Sequence, residues 1–301
     1  MNQYNYRKIK WLRAIRQKFM HLAPRLYVTL SKLASKYILF KREREYLRGG
    51  LPSKSEQPSI LYFGMNRAAS MFLLESFERL AVAHDIEAVN LSRYFVHSDR
   101  RKVSQFANEE EAGKLFRPKG YFYGSLRDDV VLRDIDQYRG LAVIRDLRDV
   151  AVSYYYARRE AHTLTDEKFI EWRERALSLT IDEHVPELAE EIAQQYGYFI
   201  SLKNRSSNMM VMRYEDMMGD FGSWMSDVTN HLGLDQTPEI VEEIVSAATF
   251  TVSEENASSH RRSGKAGAYL KKLKPETVNL LNERYGDLLE AFGYEIEPSN
   301  D

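Results

Sequence analysis

Two segments of this chain combine residue types that could hold an anion. The first is Gly64-Met65-Asn66-Arg67-Ala68-Ala69-Ser70-Met71-Phe72. A strand that enters a helix through small residues presents backbone N–H groups, and the helix N-terminus adds about half a positive charge. Arg67 and Ser70 would complete such a site with a cation and a hydroxyl. The second segment runs from Arg145 to Ser153. Residues 141–144 read as a buried strand that delivers Arg145 to its carboxyl end, the edge at which α/β sheets bind ligands. Asp149 is placed to cap the helix that follows. Ser153 stands four residues further on, about one turn along the same face. Arg145 and Ser153 could therefore converge on one phosphate, by a fork of donors and by a hydroxyl. Taken singly, each segment also fits an ordinary strand–turn–helix junction. The loop of magnesium-dependent nucleotide triphosphatases, GxxxxGK followed by Ser or Thr, is absent, because no Lys precedes Ser70. That disfavours a kinase or NTPase.

The elements that must position these residues are legible as apolar runs. Strands are expected over 59–63, 87–91, 121–126, 141–144 and 209–212. Helices are expected over 69–83, from about 149, over 217–232 and over 275–292. Strands alternating with helices imply an α/β fold, a central parallel sheet flanked by helices. This main domain spans 59–301, behind a linker over 51–58 that is rich in Ser, Pro and charge.

Residues 1–50 differ from the rest. They carry 13 Lys and Arg against the two acids Glu43 and Glu45, a balance of +11, whereas the other 251 residues stand at −12. Apolar positions in steps of three and four (Ile9, Leu12, Ile15, Phe19) among basic ones read as an amphipathic helix, ended near Pro24. A second helical stretch is expected over 26–47, with Leu30, Leu33, Ile38 and Leu39 as its apolar positions. Such an extension can lie on an anionic membrane surface, or it can pack on the main domain or on a second subunit. It has neither a secretory h-region nor a transmembrane run of about 18 apolar residues. The chain has no cysteine, so disulfides and thiolate chemistry are excluded. Its seven histidines show no zinc-ligand spacing, and no metal is expected. The cluster Tyr154–Tyr156 could stack nucleic-acid bases, but no basic residues interleave it, and core packing is the better reading. Glu109-Glu110-Glu111 reads as the solvated start of a helix rather than a metal site.

The segment Arg145-Asp-Leu-Arg-Asp149-Val-Ala-Val-Ser153-Tyr-Tyr resembles the 3′-phosphate motif RxPxDxxxSxY of sulfotransferases that use 3′-phosphoadenosine 5′-phosphosulfate (PAPS), with Leu147 in place of the proline. Residues 64–72 resemble that family's 5′-phosphosulfate loop, with Ala69 where the family has glycine. Arg262-Ser263-Gly264-Lys265-Ala266-Gly267 resembles its RKGxxG loop, and Tyr214-Glu215-Asp216 its YED strand end. The four segments stand in the family's order.

The resemblance implies a P-loop-like sheet and sulfuryl transfer from PAPS to a hydroxyl or amine, releasing PAP. Arg67 takes the catalytic cation's place. Asn66, Ala68, Ala69, Ser70, Met71 and Phe72 line the 5′-phosphosulfate and adenine side. Arg145, Ser153, Arg262, Ser263 and Gly264 hold the 3′-phosphate. The strand 121–126 lacks the family's usual base histidine, which leaves His97 and Asp128 as candidates for the base. A fold that kept nucleotide binding and lost catalysis, serving as a membrane-surface adaptor, is the alternative. The expected partners are a small-molecule, glycan or lipid acceptor and no nucleic acid, and the expected location is cytoplasmic, at an anionic membrane surface if residues 1–50 bind it rather than pack on the domain.

Overall fold

The computed structural model describes residues 24–99, 102–105, 113–127, 129–161, 167–235, 237–248 and 267–296. The expected helix over residues 6–20 lies outside these, as do Glu109-Glu110-Glu111, Asp128, Arg262, Ser263 and Gly264.

Two helices come first, α1 (Pro24–Tyr37) and α2 (Lys41–Leu47). The single stretch expected over 26–47 is interrupted at Ile38–Phe40, because the Phe40 ring turns inward against Tyr94, 5.8 Å away. Next come β1 (Ile60–Gly64), α3 (Ser70–Ala83), β2 (Glu87–Val89), α4 (Leu91–Ser98) and β3 (Tyr121–Leu126). β4 (Arg139–Ile144) leads into α5 (Leu147–Tyr156), and α6 (Glu167–Ser178) and α7 (Ile181–Arg205) follow. The chain closes with β5 (Met209–Arg213), α8 (Tyr214–Gly219), α9 (Phe221–Leu232), α10 (Pro238–Ala247) and α11 (Pro275–Glu290).

The strands form one sheet in the order β2-β3-β1-β4-β5, and every pairing is parallel. Every residue of β1 and β3 is buried. Both faces of these strands are therefore covered, as apolar runs without alternation require. The helix expected over 217–232 is two, because Asp220 leaves helical geometry and caps the second by accepting from Ser223 N. The long α7 went unrecognised in the sequence. Its start is a capping box: Thr180 accepts from Glu183 N, and the Glu183 carboxylate accepts from Thr180 N. It packs along α5, and its Tyr196 hydroxyl donates to the Arg145 carbonyl at the end of β4.

Residues before β1 share the core with β3. The buried Tyr46 of α2 bonds the Tyr123 hydroxyl at 2.6 Å. The segment 51–58 is held along the same strand: Tyr121 Oη donates to Leu51 O at 2.9 Å, and Gly120 N to Gln57 O at 2.8 Å.

Candidate active site

At the carboxyl end of β1 the chain passes Gly64 and turns through residues 65–69 into α3. Gly64 has no alternative here. A Cβ on it would collide with Ser125 Oγ on β3 and crowd Ser70 Cβ. Arg67 and Ala69 both take left-handed backbone conformations, φ +70° and +52°, a region that costs a residue with a Cβ about 1–2 kcal/mol. Ala69 is the residue just ahead of α3, so the turn spends backbone energy to bring its N–H groups to the helix start. Ala68 is fully buried beneath it and Ser70 nearly so.

Side chains gather on this turn from other elements. Arg67 Nε donates to Ser153 Oγ on α5 at 2.8 Å. Arg127, the residue after β3, donates to Asn66 Oδ1 at 2.6 Å and to Ser70 Oγ at 3.2 Å, with Met71 Sδ 3.9 Å away. Tyr154 joins through a bond to Asn66. Burial raises its phenol's pKa, while that bond and the charges of Arg127, Arg158 and Arg67 oppose the rise. Phe72 lies against Phe221 of α9, centroids 5.8 Å apart, and Phe221 stacks on Trp224. An aromatic row thus flanks the turn.

The end of β4 supplies the other half. Arg145 Nη1 donates to the Arg67 carbonyl at 3.0 Å, and its guanidinium lies 4.7 Å over the Tyr214 ring. Its Nη2 reaches Asp149 Oδ2 at 3.4 Å. The helix cap is not Asp149, as the sequence suggested, but Asp146, whose carboxylate accepts from Arg148 N at 2.8 Å. α5 begins at Leu147, two residues earlier than expected, so Asp149 already sits inside the first turn. Its carboxylate faces across the fold instead, accepting from Gly267 N at 2.9 Å and Tyr269 N at 3.0 Å. Burial raises its pKa, with Arg145 and these two N–H groups pulling it back down.

Arg148 was missed by sequence reasoning. It is almost fully buried and forks onto Asp146, with Nε to Oδ1 at 3.0 Å and Nη2 to Oδ2 at 2.7 Å. It also donates to Asn282 Oδ1 on α11 at 2.7 Å and lies 4.2 Å over the Tyr269 ring. Glu215 closes the lattice by accepting from Asp146 N and from the Tyr294 hydroxyl. Arg127 was missed as well, since the strand that carries it was searched for a histidine. A cation directly after a buried strand, at the edge where the sheet binds ligands, was the available signal.

The structure therefore brings Asn66, Arg67, Ser70, Met71, Arg145 and Ser153 together at one edge of the sheet, with Ala68 and Ala69 as the turn beneath them. His97 lies on α4, exposed, with its ring stacked 5.9 Å from Phe40. Cations, hydroxyls and backbone N–H groups are a donor set suited to phosphate and sulfate oxygens.

The sequence model described as sulfotransferase domain matches residues 136–293 of this chain. No curated protein matches it. Among solved structures it is similar to mouse sulfotransferase SULT7A1 complexed with PAP, at 19% identity and a TM-score of 0.49, over 77% of this chain and 84% of that one. It is also similar to retinol dehydratase in a complex with retinol and PAP, at 16% identity and a TM-score of 0.47, over 79% and 83%. The matched span runs from just before β4 through α11, and so holds the Arg145–Ser153 segment, the YED turn and the C-terminal loop. The chain belongs to the sulfotransferase-domain family.

Proposed function

We propose that the chain transfers a sulfuryl group from PAPS to a hydroxyl or amine of a small-molecule acceptor and releases PAP. The acceptor oxygen or nitrogen attacks sulfur. The bond from sulfur to the bridging oxygen of the 5′-phosphate breaks, and the acceptor's proton leaves to a base. Like phosphoryl transfer, this chemistry asks mainly for positioning and for cations where charge develops. The observation that carries the proposal is the joint between the two halves of the site. Arg145 holds the Arg67 carbonyl, and Arg67 reaches Ser153, so the proposed 3′- and 5′-phosphate positions are coupled through one residue.

In this reading Arg145 and Ser153, with Arg262, Ser263 and Gly264, hold the 3′-phosphate. Ser70 and the N–H groups of the turn hold the 5′-phosphate, and Phe72 flanks the adenine. Arg67 neutralises the charge that grows on the bridging oxygen. Arg127 is a second cation for the same group, since it already spans Asn66 and Ser70. For the base we favour Asp128, which follows Arg127 directly in the chain. His97 is the other candidate, and glycan and lipid hydroxyls are the other acceptor classes.

Calorimetric titration with PAP tests the donor site. Arg145→Ala should weaken binding roughly 10- to 100-fold, the worth of one charge-assisted contact. An affinity unchanged by that substitution would remove the proposal.

A further inference from the structure

Helix α1 leaves one face uncovered. Leu26, Leu30, Leu33 and Tyr37 recur at intervals of four, three and four, which places them within an arc of roughly 60° on a helix. All four are exposed, Tyr37 to 65%. Ile38, at 72%, and Leu39 extend the row beyond the helix end. The opposite side carries the buried Ser35 and packs on α4. From Leu26 to Tyr37 the stripe is about 17 Å long. Lys32 and Lys36 flank it on one side, both exposed.

We infer that this stripe docks on the surface of an anionic lipid bilayer. A single helix face, apolar along its crest and basic along its flank, suits a plane better than a groove. Charge selects the occupant. Residues 1–50 stand at +11, which repels a second copy of the same region and is attracted to an anionic leaflet. No helix among the described residues is long and apolar enough to cross a membrane. α1 leans on α4, which leaves the carboxyl end of β2, the edge of the sheet that also carries the Arg67 turn. Docking there would bring the catalytic edge close to membrane-borne hydroxyl acceptors.

The test is co-sedimentation of the full chain with phosphatidylcholine vesicles, with and without phosphatidylserine, at low and high salt. Binding should need phosphatidylserine and weaken in high salt. Leu30→Glu with Leu33→Glu should lower the partition coefficient about tenfold or more, and Lys32→Glu with Lys36→Glu should lower it less. Both variants should keep wild-type PAP affinity, which separates a failure of docking from a failure of the donor site. Three results would each overturn the inference. One is vesicle binding that persists in the double-leucine variant, which would assign the contact to residues 1–23. Another is a self-association that this variant abolishes, without vesicle binding by the wild type. The last is no vesicle binding at all.

Discussion

The two halves of the site are built differently. Around Asp146, Arg148 and Asp149, charges meet charges in a buried lattice. Arg148 and Arg145 rest on carboxylates, and those carboxylates in turn hold backbone N–H groups of Gly267, Tyr269 and Arg148 itself. Around residues 66–70 the contacts between elements run to neutral groups as well: Arg67 donates to a serine hydroxyl, and Arg127 to an amide and a hydroxyl. The backbone there is left-handed at two residues. The first half is arranged to keep its shape. The second places cations against hydroxyl and amide groups, neutral contacts that the oxygens of an incoming anion can take over.

Breaking the lattice should have the largest effect. Arg148→Ala leaves the Asp146 carboxylate buried without its fork and removes the tie to Asn282, and should cost about 3–5 kcal/mol of folding stability in a urea titration. A loss below about 1 kcal/mol would mean the lattice is no stiffer than the turn. On the turn the expected loss is in rate. Arg67→Ala should lower kcat about 10²- to 10³-fold once an acceptor is in hand, with stability nearly unchanged. Equal losses of stability in these two variants would erase the contrast.

The turn's helix supplies a pH test. Burial raises the Glu78 pKa on α3 to about 7. A carboxyl whose folded pKa lies above its unfolded value stabilises the fold fully below the unfolded value. It loses that contribution as pH rises through the folded one. Glu78→Gln should therefore match the wild type near pH 4.5 and exceed it by about 1–3 kcal/mol above pH 8. A pH-independent gap between the two proteins would show that this carboxyl is not paying for burial. The smallest effect sharpens the view of the turn itself. Ala69→Gly removes a Cβ from a left-handed position and should raise stability by about 0.5–1 kcal/mol, after the entropy that glycine adds to the unfolded chain. A lower melting temperature for this variant would show the strain to be absent.

Much of this could be read from the chain alone. The five strands and their order, the helices that follow β1 and β4, the turns after 63 and 144, and the placement of Arg67, Ser70, Arg145 and Ser153 all rest on periodicity and spacing within about a dozen residues, where sequence pattern and local geometry coincide; the helices α4, α6, α7 and α10 were not read from it. The parallel sheet followed from apolar runs alternating with helices. The tertiary structure alone decided which groups meet across the fold. Arg127 finds Ser70 over 57 positions, Arg148 finds Asn282 over 134, and Asp149 gives up the expected cap to hold Tyr269 over 120. Nothing in the spacing of such pairs is periodic. An arginine after a strand and an aspartate in a first turn look alike in sequence whether they serve solvent, a neighbour or a ligand. For Arg148 and Asp149 the packing of the sheet edge against the C-terminal segment selects the partner, because a buried charge must find one or bear its full desolvation cost; for the exposed Arg127 the selection comes from the neighbouring turn after β1.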